Sequence, residues 1–181
     1  MTRPEYPVLV VVGGLPGTGK STIATLVARR MRAPYLRVDR IEHALAVSCD
    51  PPRPVGVAGY AVAHALAAEQ VVLGLDVVVE CVNPLPVTRD GWVRTARAAA
   101  ASIVQVEVIC SDPVEHRRRV ETRTSDVDGL VKPTWEEVLG REYLPWDRPH
   151  LTVDTAGLSA HEAADCIAAA TAEARQRPLA G

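Results

Sequence analysis

Val8-Leu9-Val10-Val11-Val12-Gly13-Gly14-Leu15-Pro16-Gly17-Thr18-Gly19-Lys20-Ser21-Thr22 is the stretch whose reading decides the fold. Its first five residues form a continuous apolar run, the pattern of a strand buried on both faces. From Gly14 to Ser21 it matches Gly-x4-Gly-Lys-Ser/Thr, the phosphate-binding loop. Behind it Ile23, Ala24, Leu26, Val27 and Met31 recur at helical spacing, which predicts a helix over Ser21–Met31. The buried strand before and the helix after set the motif apart from a plain glycine turn. Glycines let backbone N–H groups turn inward around anionic phosphates, and the new helix adds its positive end. Lys20 is expected to reach the β- and γ-phosphates, and the Ser21 hydroxyl to ligate Mg²⁺. The predicted cofactors are ATP and Mg²⁺. The predicted nucleotide site is Gly14, Leu15, Pro16, Gly17, Thr18, Gly19, Lys20, Ser21 and Thr22.

Outward from this stretch, four more strand-like runs alternate with helical ones. The strands are predicted at Tyr35–Val38, Val77–Cys81, Val104–Ile109 and Leu151–Asp154. Helices are predicted at Arg40–Val47, Val57–Leu73, Thr88–Ala101, Pro113–Arg123, Thr134–Tyr143 and Ser159–Arg175. Asp112-Pro113-Val114-Glu115 supplies an N-cap, a first-turn proline and a capping-box glutamate; Thr134–Glu137 and Ser159–Glu162 repeat that chemistry. Such alternation specifies a parallel sheet covered by helices on both faces. The expected architecture is an α/β three-layer sandwich with a five-stranded parallel sheet in the order 2-3-1-4-5. The proline-rich Cys49–Pro54 reads as a loop, and residues 124–146 as a small lid over the phosphates.

The chain has 181 residues, the size of one domain, and a net charge of −2 that gives no overall pull toward nucleic acid or anionic membrane. Lys20 and Lys132 are the only lysines; every other basic side chain is arginine. Cys49, Cys81, Cys110 and Cys166 are widely spaced with no metal-ligand pattern, and Cys81 and Cys110 read as buried thiols. Neither a signal peptide nor a run of membrane-spanning length is present, so the expected location is cytoplasmic.

In an open parallel sheet, ligands bind beyond the carboxyl ends of the strands. Asp39, Glu80 and Asp154 fall at such ends. A carboxylate facing the γ-phosphate can take the proton of an attacking hydroxyl or hold Mg²⁺. Asp39 suits that role, and equally an N-cap of the following helix. Glu80 is a candidate metal or substrate ligand, or the partner of an arginine. Asp154 reads as the cap of a turn. On the helix after the fourth strand, Arg119 and Arg123 are four apart and predicted to share one face toward the transferring phosphoryl group. Arg117 and Arg118 read as solvated partners of Glu115 and Glu121. Asn83 and Arg89 follow the third strand and are candidate acceptor ligands, Arg89 being the best placed for an anion. His64 and Trp92 read equally well as packing residues, and Trp135 and Trp146 as lid anchors.

This order of motifs resembles the P-loop kinases related to adenylylsulfate kinase, gluconate kinase, chloramphenicol phosphotransferase and polynucleotide kinase, relatives often labelled "AAA family ATPase". The resembling segments are Val8–Thr22, Arg37–Ile41, Val77–Arg89, Asp112–Arg123 and Leu151–Ser159. The resemblance implies Mg-ATP at the phosphate loop and Asp39 on the acceptor hydroxyl. It also implies lid-edge arginines that handle phosphate and cover the adenine, and an acceptor loop from Glu80 to Arg89. Glu80 departs from it, since many relatives carry aspartate there.

The expected activity is transfer of the γ-phosphate of ATP to a hydroxyl of a small-molecule or nucleotide-like acceptor, nucleic acid entering only as a polynucleotide end. Catalytic roles fall to Lys20, Asp39, Arg119 and Arg123. The alternatives are a nucleotide-binding switch acting through partners and a nucleoside monophosphate kinase. A switch GTPase needs an Asn-Lys-x-Asp run, which the chain lacks. A monophosphate acceptor needs no base, so an aspartate after the second strand favours a hydroxyl.

Overall fold

The computed structural model describes residues 6–48, 55–123 and 132–176. The predicted loop Cys49–Pro54, with Cys49, and the first part of the predicted lid, residues 124–131, lie outside them.

Strand β1 (Val8–Gly13) is buried along its whole length, as its unbroken apolar run requires. It pairs in parallel with β3 (Val77–Glu80) on one side and β4 (Ser102–Ile109) on the other. Beyond them lie β2 (Tyr35–Arg37) and β5 (Leu151–Asp154), giving the all-parallel order 2-3-1-4-5. Alternation along β1 divides the core in two. Val8, Val10 and Val12 pack with Ile23, Ala24 and Val27 of α1 (Lys20–Met31) and Ala163, Ala164 and Ile167 of α7 (Ala160–Ala174). Leu9 and Val11 turn the other way, toward Ala63, Ala67 and Val71 of α3 (Ala58–Val72) and Trp92 and Ala96 of α4 (Pro86–Ala98). Helix α2 (Val38–Val47) joins that second layer through Val38. Helices α5 (Pro113–Thr122) and α6 (Trp135–Leu139) follow β4.

Several boundaries differ from the sequence expectation, each for a local reason. Helix α4 begins at Pro86, two residues early, because the Thr88 hydroxyl closes a capping box with the Leu85 backbone. It ends at Ala98, and Ala100 takes a left-handed conformation at φ 52°. Helix α6 stops at Leu139 instead of Tyr143. The carbonyls of Leu144 and Pro145 accept from the Arg89 guanidinium, which draws this segment away from helix. The Ser159–Glu162 and Thr134–Glu137 boxes both form. At Asp112 only half does: its carboxylate caps the Val114 and Glu115 N–H groups, while Glu115 turns to Arg118 and Arg119.

Cys81 and Cys110 are buried thiols, and Cys166 is exposed. Burial pushes the Cys81 thiol up to about 12. Among the described residues, no helix is long and apolar enough to cross a membrane.

Candidate active site at the phosphate loop

The loop between β1 and α1 is shaped by close approaches. Gly14 donates its N–H to the Val82 carbonyl at 3.1 Å and has φ +147°. A Cβ there would stand 2.3 Å from the Val108 carbonyl oxygen, so only glycine fits. At Gly17 a Cβ would meet Val120 Cγ2 at 2.5 Å, because α5 packs directly on the loop. Thr18 Oγ1 donates to the Leu15 carbonyl at 2.9 Å, tying the turn together. Gly19 is the N-cap of α1, whose hydrogen-bond ladder starts with Ile23 N–H to the Gly19 carbonyl. The N–H groups of that first turn, from Lys20 onward, have no helical acceptor and can bind an anion. Lys20 is buried beside them.

Parallel register brings Glu80 level with Val12 on one side and Arg37 on the other. Its carboxylate is 2% exposed and held by two hydroxyl donors and an ion pair. Ser21 Oγ donates to Oε1 at 2.5 Å, the Tyr35 hydroxyl donates to Oε2, and Arg37 Nε stands 3.1 Å from Oε2. The expected pairing of Glu80 with an arginine is present, and the same carboxylate also meets the loop serine. Burial and the neighbouring Glu80 charge raise the Tyr35 phenol above its ordinary value, so it stays a proton donor. Ser21 Oγ and Glu80 Oε1 form a compact pair of hard oxygen donors at the mouth of a phosphate loop. That set fits Mg²⁺, which takes one or two protein oxygens and completes its shell with phosphate and water.

Asp39 is not a helix cap. Helix α2 starts two residues earlier than expected, at Val38, with Arg37 at its N-cap and no side-chain capping bond. Asp39 instead occupies the first turn, where a negative charge favours the helix dipole, and lies close enough to shift its neighbours. Burial first and the Asp39 charge second raise the Glu42 carboxyl, against an opposing effect of Arg141. Burial holds Arg123 below its ordinary value; Arg141 adds to this and Asp39 opposes it. Asp39, Glu42, Arg123 and Arg141 thus act on one another as a cluster of charges.

The expectation that Arg119 and Arg123 share a face fails, because α5 ends at Thr122 and Arg123 is its extended C-cap. Arg119 turns to the loop after β5, donating to Thr155 Oγ1 at 2.7 Å and to the Thr155 carbonyl at 3.1 Å. Its Nε donates to Glu115, whose carboxyl is held down at about 2 by Arg118 and Arg119. Thr155 Oγ1 lies 2.9 Å from the Thr18 carbonyl, so Arg119 is linked to the phosphate loop through one hydroxyl. The buried Nε of Arg123 has no hydrogen-bond partner among the described residues. Arg117 pairs with Glu121 and Arg118 with Glu115 on the exposed face, as expected.

Arg89 also departs from expectation, while the side-chain amide of Asn83 has no hydrogen-bond partner among the described residues. Asn83 is fully buried with φ 54°, its N–H given to the Tyr60 hydroxyl and its Cβ packed against Gly13. Arg89 is not turned to any anion. It is 0% exposed, and its guanidinium donates to the carbonyls of Asn83, Pro84, Leu144 and Pro145. Its charge rests over the Trp146 and Tyr143 rings at 4.4 and 5.6 Å. It bolts the second half of the predicted lid onto the loop after β3. Arg89→Ala is expected to cost about 3 kcal/mol or more, since buried carbonyls lose their donor. Urea unfolding checks this: unchanged stability with lost turnover would return Arg89 to ligand binding.

Tyr35, Thr155 and His116 were not singled out from sequence. His116 Nε2 is 2.9 Å from the Pro16 carbonyl, and its ring meets Trp135 edge-on at 5.1 Å. Period-two spacing places Tyr35 and Arg37 on one strand face, the only sequence signal for that pair. Asp154 caps a turn as predicted, accepting from the N–H groups of Ser111 and Ala156 at 3.0 Å each. His64 and Trp92 pack against each other with ring centroids 3.8 Å apart.

A family model described as "AAA domain" matches residues 9–140. No curated protein matches the sequence significantly. Among solved structures, the chain is similar to the APS kinase of Mycobacterium tuberculosis in complex with AMPPNP and APS, at 21% identity and TM-score 0.65, covering 94% of this chain and 99% of that one. It is similar to a gluconokinase from Sinorhizobium meliloti at 19% identity and TM-score 0.62, covering 95% of each. It is also similar to Chaetomium thermophilum Kti12 in complex with ADP-AlF3, at 21% identity and TM-score 0.59, covering 96% of this chain and 100% of that one. At these identities the likeness speaks for the fold: a five-stranded parallel sheet of the P-loop type.

Proposed function

The chain belongs to this AAA domain family, and on that footing we propose that it is an ATP-dependent phosphotransferase that moves the γ-phosphate of Mg-ATP to a hydroxyl acceptor. The observation that carries the reading is the placement of Asp39. It lies in the first turn of α2, directly after β2, on the same side of β1 as the β3 strand that carries Glu80, and its charge acts on Arg123. In this reading the Gly14–Thr22 loop and Lys20 bind the phosphates, with Ser21 and Glu80 holding the cation. Mg²⁺, when bound, neutralises charge on the phosphate oxygens. Asp39 accepts the proton of the acceptor hydroxyl as the new P–O bond forms. Arg123, whose buried Nε–H has no hydrogen-bond partner among the described residues, supplies a donor for the transferring group. Arg119 acts at the rim of the nucleotide site through Thr155. The APS bound to the similar APS kinase, and the likeness to a gluconokinase, support a small hydroxylated acceptor for this chain too.

The likeness to Kti12 favours a second reading, a nucleotide-dependent switch working through partners. ATP consumption across a library of hydroxylated metabolites separates the two. A phosphotransferase gives low turnover alone and strong stimulation by one acceptor class. If no hydroxyl acceptor stimulates turnover, the switch reading takes its place.

A further inference from the structure

Glu80 is one methylene longer than aspartate, and in this chain that extra length is taken up by direct contact. Oε1 reaches Ser21 Oγ at 2.5 Å. Oε2 is occupied from the opposite direction by two side chains of the edge strand β2. Tyr35 and Arg37 alternate along β2, and both reach across to the end of β3 on the face that packs against α1. The carboxylate is thereby clamped in rotation: one oxygen faces the serine, and the other is turned away from it. This matters for a cation. Mg²⁺ demands near-octahedral geometry with single oxygens at about 2.0–2.1 Å, whereas Ca²⁺ accepts six to eight ligands at about 2.3–2.6 Å and readily takes both oxygens of one carboxylate.

We propose that Tyr35 and Arg37 are positioning residues that make the nucleotide-associated metal site selective for Mg²⁺ over Ca²⁺, by holding Oε2 of Glu80 so that only Oε1, beside Ser21, is presented to a cation. The inference rests on the Mg-nucleotide part of the proposed function and is independent of the acceptor. Tyr35→Phe is the neutral test, since it keeps the ring that packs beside α1 and removes only the hydroxyl. Arg37→Lys keeps the charge and removes the Nε contact.

Mn²⁺ bound to the protein–ADP complex is displaced with Mg²⁺ or with Ca²⁺, and free Mn²⁺ is read by electron paramagnetic resonance. In both variants the ratio of Mg²⁺ to Ca²⁺ displacement potency is expected to fall about tenfold, the lower range for loss of a group that orients a metal ligand. ADP affinity in the presence of EDTA is expected to stay at the parental value. An unchanged ratio in both variants, or an equal loss of both cations, overturns the selectivity role. Failure of Mn²⁺ to bind the parental ADP complex is a different result, because it removes the metal-nucleotide reading on which the inference stands.

Discussion

Lys20→Ala is expected to reduce phosphoryl transfer by about 10³ and to weaken ATP binding by about 10–100-fold. The first figure is what a single preorganised donor contributes to stabilising developing charge. The second corresponds to losing one charge-assisted hydrogen bond, about 1.5–3 kcal/mol. Lys20 is the first residue of α1 and is buried beside the glycine loop, where no other lysine of the described chain lies. Its ammonium can therefore not be replaced locally. The fold itself should tolerate the change, since alanine is the best helix former and the N-cap at Gly19 is untouched. Titration calorimetry with ATP, run beside turnover and a thermal melt, checks all three parts. Unchanged affinity and turnover would remove the nucleotide from this loop.

Asp39→Asn is expected to leave ATP affinity near the parental value while acceptor-dependent turnover falls by about 10²–10⁴, the range of a positioned general base. An alcohol is a poor nucleophile until its proton begins to leave. Asparagine keeps the shape and reach of the side chain but has no basic oxygen. Because Asp39 is in the first turn of α2 and caps nothing, the substitution loses only a dipole contact of about 0.3–1 kcal/mol. The melting temperature should move by a few degrees at most. Arg123 makes the measurement sharper: it loses the carboxylate that opposes its desolvation, so any binding defect would appear in the nucleotide or acceptor affinity and not in the chemical step alone. If Asp39→Asn turns over acceptor as fast as the parent, the proton goes elsewhere. Glu80 is then a poor substitute, since both of its oxygens are already engaged.

The two carboxylates illustrate how far the residues alone could be read. That Asp39 and Glu80 open on one side of β1 followed from the expected strand order, which the sheet has. That Glu80 meets Ser21 and Arg37 together did not, because those contacts join three segments far apart in the chain. Arg89 shows the opposite error. A lone arginine after a strand end reads as an anion ligand, yet its partners are backbone carbonyls, and those of residues 144 and 145 are invisible from the local sequence. Helical spacing pairs Arg119 with Arg123, but the helix ends one residue short of Arg123, and Arg119 alone is turned to Thr155.

What the sequence by itself determined is whatever depends on short-range pattern. The unbroken apolar run of β1, the glycine loop, the capped helices and the strand–helix alternation each carry their physics within a dozen residues, and they specify the layered parallel sheet. What only the tertiary structure decided is which donor meets which acceptor. Backbone carbonyls have no sequence signature, and a carboxylate's partners come from whichever strands and helices packing brings beside it. The clamp of Tyr35 and Arg37 on Glu80, the hydroxyl of Thr155 between Arg119 and Thr18, and the burial of Arg89 all arise at that level. Each is set by parallel register and helix docking, which bring together residues that the chain keeps tens of positions apart.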